Sequence, residues 1–273
     1  MTASDDADHY LLSEAKSAFR RYRLFNEIYQ PATAERFATL PLSPDMRLLE
    51  VGCGIGDTAC YMAQNLVPDG HVLALDQSAD LVALARRQAA DAGIDNVTFV
   101  CARAQEFDYV QDHFELAHTR YVLSYSPDAR RIVEKVYGAL KPSGIFFGEE
   151  IAQIYVRHDQ PKWFDQLTGW FARLIEAGGG VASYGIEQMP SDMLSAGFED
   201  LHVSACCPVE DQARIVEMLR LGLSREMRDN LIDRKIAAAD DIDAAVTAMH
   251  VPGGDFLISS SMVAQVIGRK PRR

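Results

Sequence analysis

The sequence predicts an α/β protein: a parallel sheet with helices packed on both of its faces. Two observations lead there. Short apolar runs alternate with helix-compatible segments between residues 46 and 151, and a glycine loop stands directly behind the first of those runs. Composition agrees, since 273 residues that are 48% hydrophobic suffice for the core of one large α/β domain.

The elements follow in chain order. "HYLLSEAKSAFRRYRLFNEIY" (9–29) reads as a helix ended by Pro31, which in turn suits the first turn of a second helix, "PATAERFATL". A first strand, "MRLLEV" (46–51), leads through the glycine loop into a helix from 57 to about 66. The strand "HVLALD" (71–76) precedes the helix "SADLVALARRQAADAG", with Ser78 as its N-cap and Gly93 as its stop. Strands at "VTFVCA" (97–102), "FELAHT" (114–119) and "GIFFGEEI" (144–151) complete the alternation, with the helix "PDARRIVEKVYGAL" between the last two. Beyond 151 the rhythm changes. "DQPKWFDQLTGWFARLIEAGGG" and "IEQMPSDMLSAGF" read as helices, "FEDLHVSACCPV" as a strand, 209–249 as largely helical and "DFLISSSMVAQVIG" (255–268) as a final strand. No linker rich in Gly, Pro or Ser divides the chain, so residues 1–273 are expected to form a single domain. Its parts are a helical cap (1–44), a core (45–151), helical insertions with a sixth strand (152–254), and a last strand and tail (255–273).

A formal net charge of -12 has the wrong sign for nucleic acid or an anionic membrane, both of which demand clustered Lys and Arg. The exceptions, "FRRYR" and the tail "GRKPRR", read as a charged helix face and a solvated end. No apolar run approaches the roughly 18 residues a membrane helix needs. The start, "MTASDDADHY", is acidic where a secretory leader would be basic and then apolar. The expectation is a cytoplasmic monomer or homodimer. The five cysteines form no CxxC pair and no metal-type pairing with His, so they are expected as buried reduced thiols with no metal bound.

In an open α/β sheet, ligands bind beyond the carboxyl ends of the strands, near the point where the strand order reverses. The loop Gly52-Cys53-Gly54-Ile55-Gly56 is therefore the expected binding address. A dinucleotide fingerprint would read GxGxxG, whereas here the spacing is GxGxG and Asp57 holds the third fingerprint position. Carboxylates at Glu50 and Asp57 would repel a pyrophosphate at contact range and welcome a ligand carrying positive charge. A phosphate-binding P-loop is excluded, because no GKS or GKT follows.

"LLEVGCGIGDTA" resembles the first motif of the class I S-adenosylmethionine-dependent methyltransferases, in which an acid ending the first strand precedes GxGxG. In "HVLALDQSADLVALARR", Asp76 stands at the second strand's end, where that family holds both ribose hydroxyls with an acid. A carboxylate accepting two hydrogen bonds suits a vicinal diol. "NVTFVCARAQEFDY" is similar to the family's third strand and adenine loop, with Arg103 where many relatives carry an acid. "FELAHTRYVLSYSPD", "ALKPSGIFFGEE" and "LFNEIYQPATAERF" resemble the branch that modifies small molecules. The resemblance implies a doubly wound, seven-stranded, mostly parallel sheet whose last strand is antiparallel, with helical cap insertions enclosing a small-molecule acceptor. It also implies S-adenosyl-L-methionine as cofactor, held by Glu50, Gly52, Cys53, Gly54, Gly56, Asp57, Asp76, Gln77, Ala104, Gln105 and Thr119. Arg23 would close over the methionine carboxylate; a charged outer helix face is its competing reading.

Methyl transfer from a sulfonium is a direct displacement, so alignment and exclusion of water are the main requirements. A base is needed only where the nucleophile must lose a proton. Candidates are His118, which ends the fourth strand, and Glu149 and Glu150 at the end of the fifth, where alternation turns one toward the pocket and the other away. A hydrogen-bonded structural histidine is the competing reading of His118. Tyr121, Tyr125, Trp163, Trp170 and Phe171 read as an aromatic acceptor pocket or as ordinary core. Two other activities stand beside transfer: a cyclisation or isomerisation assisted by the same cofactor, for which the sequence looks the same and product analysis discriminates, and a nicotinamide-dependent oxidation, which the loop's acids and GxGxG spacing disfavour.

Overall fold

The computed structural model describes residues 3–153, 162–210, 212–249, 258–259 and 261–272. Among these, β1 (Arg47–Val51), β2 (His71–Asp76), β3 (Val97–Cys101), β4 (Phe114–Arg120), β5 (Leu140–Gln153), β6 (Glu199–Cys206) and β9 (Met262–Arg269) form a seven-stranded sheet in the order β3-β2-β1-β4-β5-β9-β6. β1 to β5 pair in parallel, and β9 runs antiparallel to both of its neighbours. This is the expected doubly wound sheet. The chain leaves β1 in one direction through β2 and β3 and returns on its other side at β4, so the order reverses between β1 and β4, at the glycine loop.

Strand alternation assigns each face its partners. Leu48, Val72, Ala74, Phe99, Leu116, Ile145 and Phe147 pack against α2 (Asp57–Tyr61), α3 (Ala79–Asp91) and Phe37 at the end of α1 (Ala3–Phe37). Leu49, Val51, Ala117, Phe146 and Val266 face α4 (Ala129–Ala139), α6 (Tyr184–Glu187) and α7 (Met189–Ala196). A third core joins the middle of α1 to α5 (Lys162–Ala177), α8 (Gln212–Gly222), α9 (Arg225–Asp233) and α10 (Ala239–Ala248), through Ile28, Tyr29, Trp163, Trp170, Leu231 and Ile242.

Several boundaries differ from the sequence reading. Pro31 does not end a helix but lies inside the continuous α1, because Leu24, Ile28, Tyr29, Thr33 and Phe37 are buried on both sides of it and packing outweighs the one hydrogen bond that proline cannot donate. The 57–66 segment is α-helical only to Tyr61 and closes as a π-turn over Met62–Leu66. "FEDLHVSACCPV" splits: β6 ends at Cys206, and β7 (Val209–Glu210) begins beyond Pro208 and pairs with β8 (Ile258–Ser259) in a separate ribbon. The final strand accordingly starts at Met262, and residues 255–257 of the expected strand lie outside the described residues. α3 is capped as expected, with the Ser78 hydroxyl accepting from the Leu81 N–H.

Candidate active site

The loop between β1 and α2 turns on Gly52, Gly54 and Gly56, all with left-handed backbone (φ 76°, 53° and 87°). A Cβ on Gly52 would overlap Val122 Cγ2, and one on Gly56 would stand 2.8 Å from Ala85 Cβ, so glycine is required at both. Four of the loop's five N–H groups are already spent. The N–H groups of Gly52 and Cys53 donate to Leu75 O (2.7 and 2.9 Å), that of Gly56 to Cys53 O (2.9 Å), and that of Gly54 to Asp76 Oδ2 (3.0 Å). An anion-binding loop needs such groups free and pointing at the ligand. This one instead rigidifies itself and fixes an acid.

Asp76 is held on both oxygens, Oδ2 by Gly54 and Oδ1 by the Ser78 N–H at 2.9 Å. Each oxygen keeps a lone pair for a further donor. Gln77 beside it is exposed, Ala104 is half-buried and Gln105 is buried next to the exposed Arg103. Thr119 is fully buried, its hydroxyl donating to Val51 O at 3.1 Å, which ties β4 to β1 at the crevice. Tyr22 of α1 lies over Gly54, so α1 roofs the loop. Cys53 and Cys60 are buried thiols; burial pushes Cys53 well up and Cys60 to about 11.

Arg23 does reach the site, but its guanidinium pairs with Asp57 Oδ1 at 2.8 Å, and Gln88 donates to the same oxygen. Asp57 therefore turns to α1 and α3.

The acids expected to include a base are all buried among protein partners. Glu50, His118, Arg120 and Glu149 share the α1 face of the sheet, Glu50 directly opposite His118 in the β1–β4 register. His118 Nε2 lies 3.0 Å from Glu149 Oε2, and its ring sits between Phe37 and Phe147. Glu149 also accepts from the Thr33 hydroxyl (2.7 Å) and the Gln265 amide (2.9 Å). Burial would raise its pKa, but the His118 bond and charge, with Arg120 and Gln265, hold it below the ordinary carboxylate value. Burial would lower His118; its two glutamate neighbours outweigh that and raise it. Glu50 is raised by burial against the pull of His118 and Arg120. Glu150 occupies the other face and accepts the N–H groups of Val122, Leu123 and Ser124 (2.9, 2.7 and 3.0 Å), so alternation separates the two glutamates without exposing either.

Arg120 was missed because the strand was ended at Thr119. Its guanidinium donates to Asn26, Gln30 and Thr33 of α1 and to Thr58 of α2, fastening α1 across the strand ends. The period-two pattern of "FELAHTR" places it on the His118 face, and reading one residue further would have found it. Of the aromatic candidates, Trp163 and Trp170 belong to the cap core, Tyr125 is exposed, and Tyr121 packs on Phe25 (4.6 Å, edge to face) and Tyr29.

A doubly wound sheet whose reversal point carries a glycine loop, flanked by acids at the ends of β1 and β2, defines a Rossmann-like domain. Residues 42–177 match the family model described as a methyltransferase domain, and the chain belongs to the class I S-adenosylmethionine-dependent methyltransferases. The demethylmenaquinone methyltransferase of Listeria monocytogenes serotype 4a (strain HCC23) is 30% identical over 97 residues, 36% of this chain and 41% of that protein. The arsenite methyltransferase of Halobacterium salinarum (strain ATCC 700922 / JCM 11081 / NRC-1) is 23% identical over 164 residues, 60% of this chain and 40% of its own length. The chain thus spans about two fifths of these curated relatives. Among solved structures, the YcgJ protein of Bacillus subtilis superposes with a TM-score of 0.60 at 19% identity, covering 88% of this chain and 97% of that one. The [4+2]-cyclase SpnF does so with 0.57 at 22% identity, covering 85% and 78%. Both likenesses concern the fold alone.

Proposed function

We propose that this chain transfers a methyl group from S-adenosyl-L-methionine to an oxygen, nitrogen or carbon nucleophile of a small molecule. The observation that carries the reading is Asp76, a carboxylate fixed by two backbone N–H groups beside the glycine loop, with a lone pair left on each oxygen for a ribose diol. Two further features fit this cofactor. The loop has no spare donors at Gly52, Cys53, Gly54 or Gly56 for a pyrophosphate, and buried Glu50 leaves Oε2 without a hydrogen-bond partner among the described residues, which suits a cation. Glu50, the three glycines, Asp76, Gln77, Ala104 and Gln105 would hold the cofactor, which supplies an electrophilic methyl on a sulfonium sulfur. The protein's part is alignment and dryness: α1, with Tyr22 over Gly54 and Arg120 as its fastening, covers the seat, and α5, α8, α9 and α10 enclose the acceptor. We read His118, Glu149 and Glu150 as supports of this seat, since each is buried and committed to protein groups. The relatives' named activities, on demethylmenaquinone and on arsenite, support a small acceptor. The reading includes a cytoplasmic monomer or homodimer without nucleic-acid or membrane partners; among the described residues no helix is long and apolar enough to cross a membrane.

Calorimetric titration with S-adenosyl-L-methionine tests the seat. Asp76→Ala is expected to lose about 1.5 to 3 kcal/mol of binding, the usual worth of hydrogen bonds to a charged group; a folded variant with unaltered affinity would take Asp76 out of the site. Incubation with methyl-labelled cofactor and a cell extract, followed by mass spectrometry, identifies the acceptor. A product that requires the cofactor yet carries no label would replace transfer with a cofactor-assisted cyclisation.

A further inference from the structure

The two glutamates that flank His118 are unequally served. Glu149 accepts three hydrogen bonds, from His118, Thr33 and Gln265. Glu50 Oε1 stands 3.7 Å from His118 Nδ1, too far for a hydrogen bond, while Glu50 Oε2 and His118 Nδ1 are both buried without a hydrogen-bond partner among the described residues. A carboxylate 3% exposed and a ring nitrogen fully buried therefore face each other, each short of one interaction. Such a pair titrates as one unit, and with burial outweighing the pull of Arg120 on Glu50 it holds a proton until further positive charge arrives.

Resting on the cofactor reading above, we propose that Glu50 and His118 hold a proton which is expelled when the cofactor's ammonium group reaches Glu50. His118 is thus a positioning residue that couples cofactor binding to proton release. The arriving cation takes over the neutralisation of Glu50; an N–H or O–H bond of the pair breaks and its proton passes to solvent, with no redox change. The charged and titratable groups around the pair are Glu149 on β5, Arg120 on β4, Asp57 on α2 in its pair with Arg23 of α1, and the Cys53 and Cys60 thiols. Phe37 and Thr33 of α1 and Gln265 of β9 contribute no charge. Glu149 is held ionised by its three donors and Arg120 is permanently charged, which leaves the Glu50–His118 pair to give up the proton.

The test is calorimetry at about pH 6.5, where His titrates, in two buffers of different ionisation enthalpy. Wild-type protein is titrated with S-adenosylhomocysteine, which keeps the ammonium and lacks the sulfonium, and with 5′-methylthioadenosine, which lacks the amino-acid part altogether. The expected result is release of a substantial fraction of one proton with the first ligand and none with the second. Affinity for the first should rise toward about tenfold per pH unit while the pair titrates. His118→Gln leaves Glu50 alone to hold a proton and should bind S-adenosylhomocysteine with a release and pH dependence different from those of the wild type; identical values would take His118 out of the coupling. Should that variant not fold, the two ligands on the wild type still decide. Binding of S-adenosylhomocysteine with equal enthalpies in both buffers would overturn the proposal while leaving the cofactor reading intact. Failure of both ligands to bind would overturn the cofactor reading, and the proposal with it.

Discussion

Glu149 and Glu150 are adjacent, yet one belongs to a charged cluster under α1 and the other caps a backbone turn, because successive strand side chains point to opposite faces. Glu150 gathers the N–H groups of three consecutive residues, 122 to 124, and so shapes the turn over Leu123–Tyr125 that follows β4. Neutralising it as Glu150→Gln removes the ionic acceptor and turns an NH2 group toward donors. Burial raises the Glu150 pKa even against those three bonds, so part of the carboxylate's contribution is already offset. The net loss is expected at about 2 to 4 kcal/mol, the range for leaving buried polar groups unsatisfied. Urea unfolding of the variant measures it, and a midpoint equal to that of the wild type would show that the turn stands without this carboxylate. The sequence placed both residues at the strand end; which face each served depended on the register with β4.

At the scale of the element, what periodicity and caps control was legible and what packing controls was not. β1, β2 and β3 end within a residue of their expected limits, and Ser78 caps α3 as read, because each signal is local. β5 begins at Leu140 rather than Gly144, carried back through a register shift against β4 that no local pattern announces. The site followed the same rule. Asp76 and the glycines are local to two strand ends and lie where the family resemblance implies them, whereas Thr33, Arg120 and Gln265 meet Glu149 or α1 only through sheet order and the path of α1. Pro31 is the sharpest case: a strong helix-ending signal overruled by the burial of its neighbours. Pro31 itself is exposed and the helix lacks its N–H, so Pro31→Ala should restore one backbone bond without disturbing the core. A gain of about 1 kcal/mol, well under the roughly 3 kcal/mol that separates the two residues in free helices, is expected in thermal unfolding. A loss would mean that the proline ring stabilises α1 where it stands.

For the whole molecule, the buried cluster and the net charge pull stability in one direction with pH. His118, raised above 6.5 by its glutamates, binds a proton more tightly in the fold than in the unfolded chain; its contribution is complete below 6.5 and is lost as pH rises through the folded value. Glu50 and Glu150, raised above 4.5 by burial, penalise the folded state increasingly as pH climbs past 4.5. Glu149, lowered below 4.5, contributes above 4.5 and loses its contribution as pH falls through its folded value. Repulsion within a chain of formal charge -12 at pH 7 eases toward its pI of about 5.0, reinforcing the acidic side. The unfolding temperature is therefore expected to be higher at about pH 6 than at about pH 8.5. His118→Gln removes the imidazolium whose proton is lost across this range and should narrow that difference. Calorimetric scans of both proteins across this range check it. A wild-type midpoint that climbs toward alkaline pH would show that Glu50, His118 and Glu149 do not share a proton in the folded state.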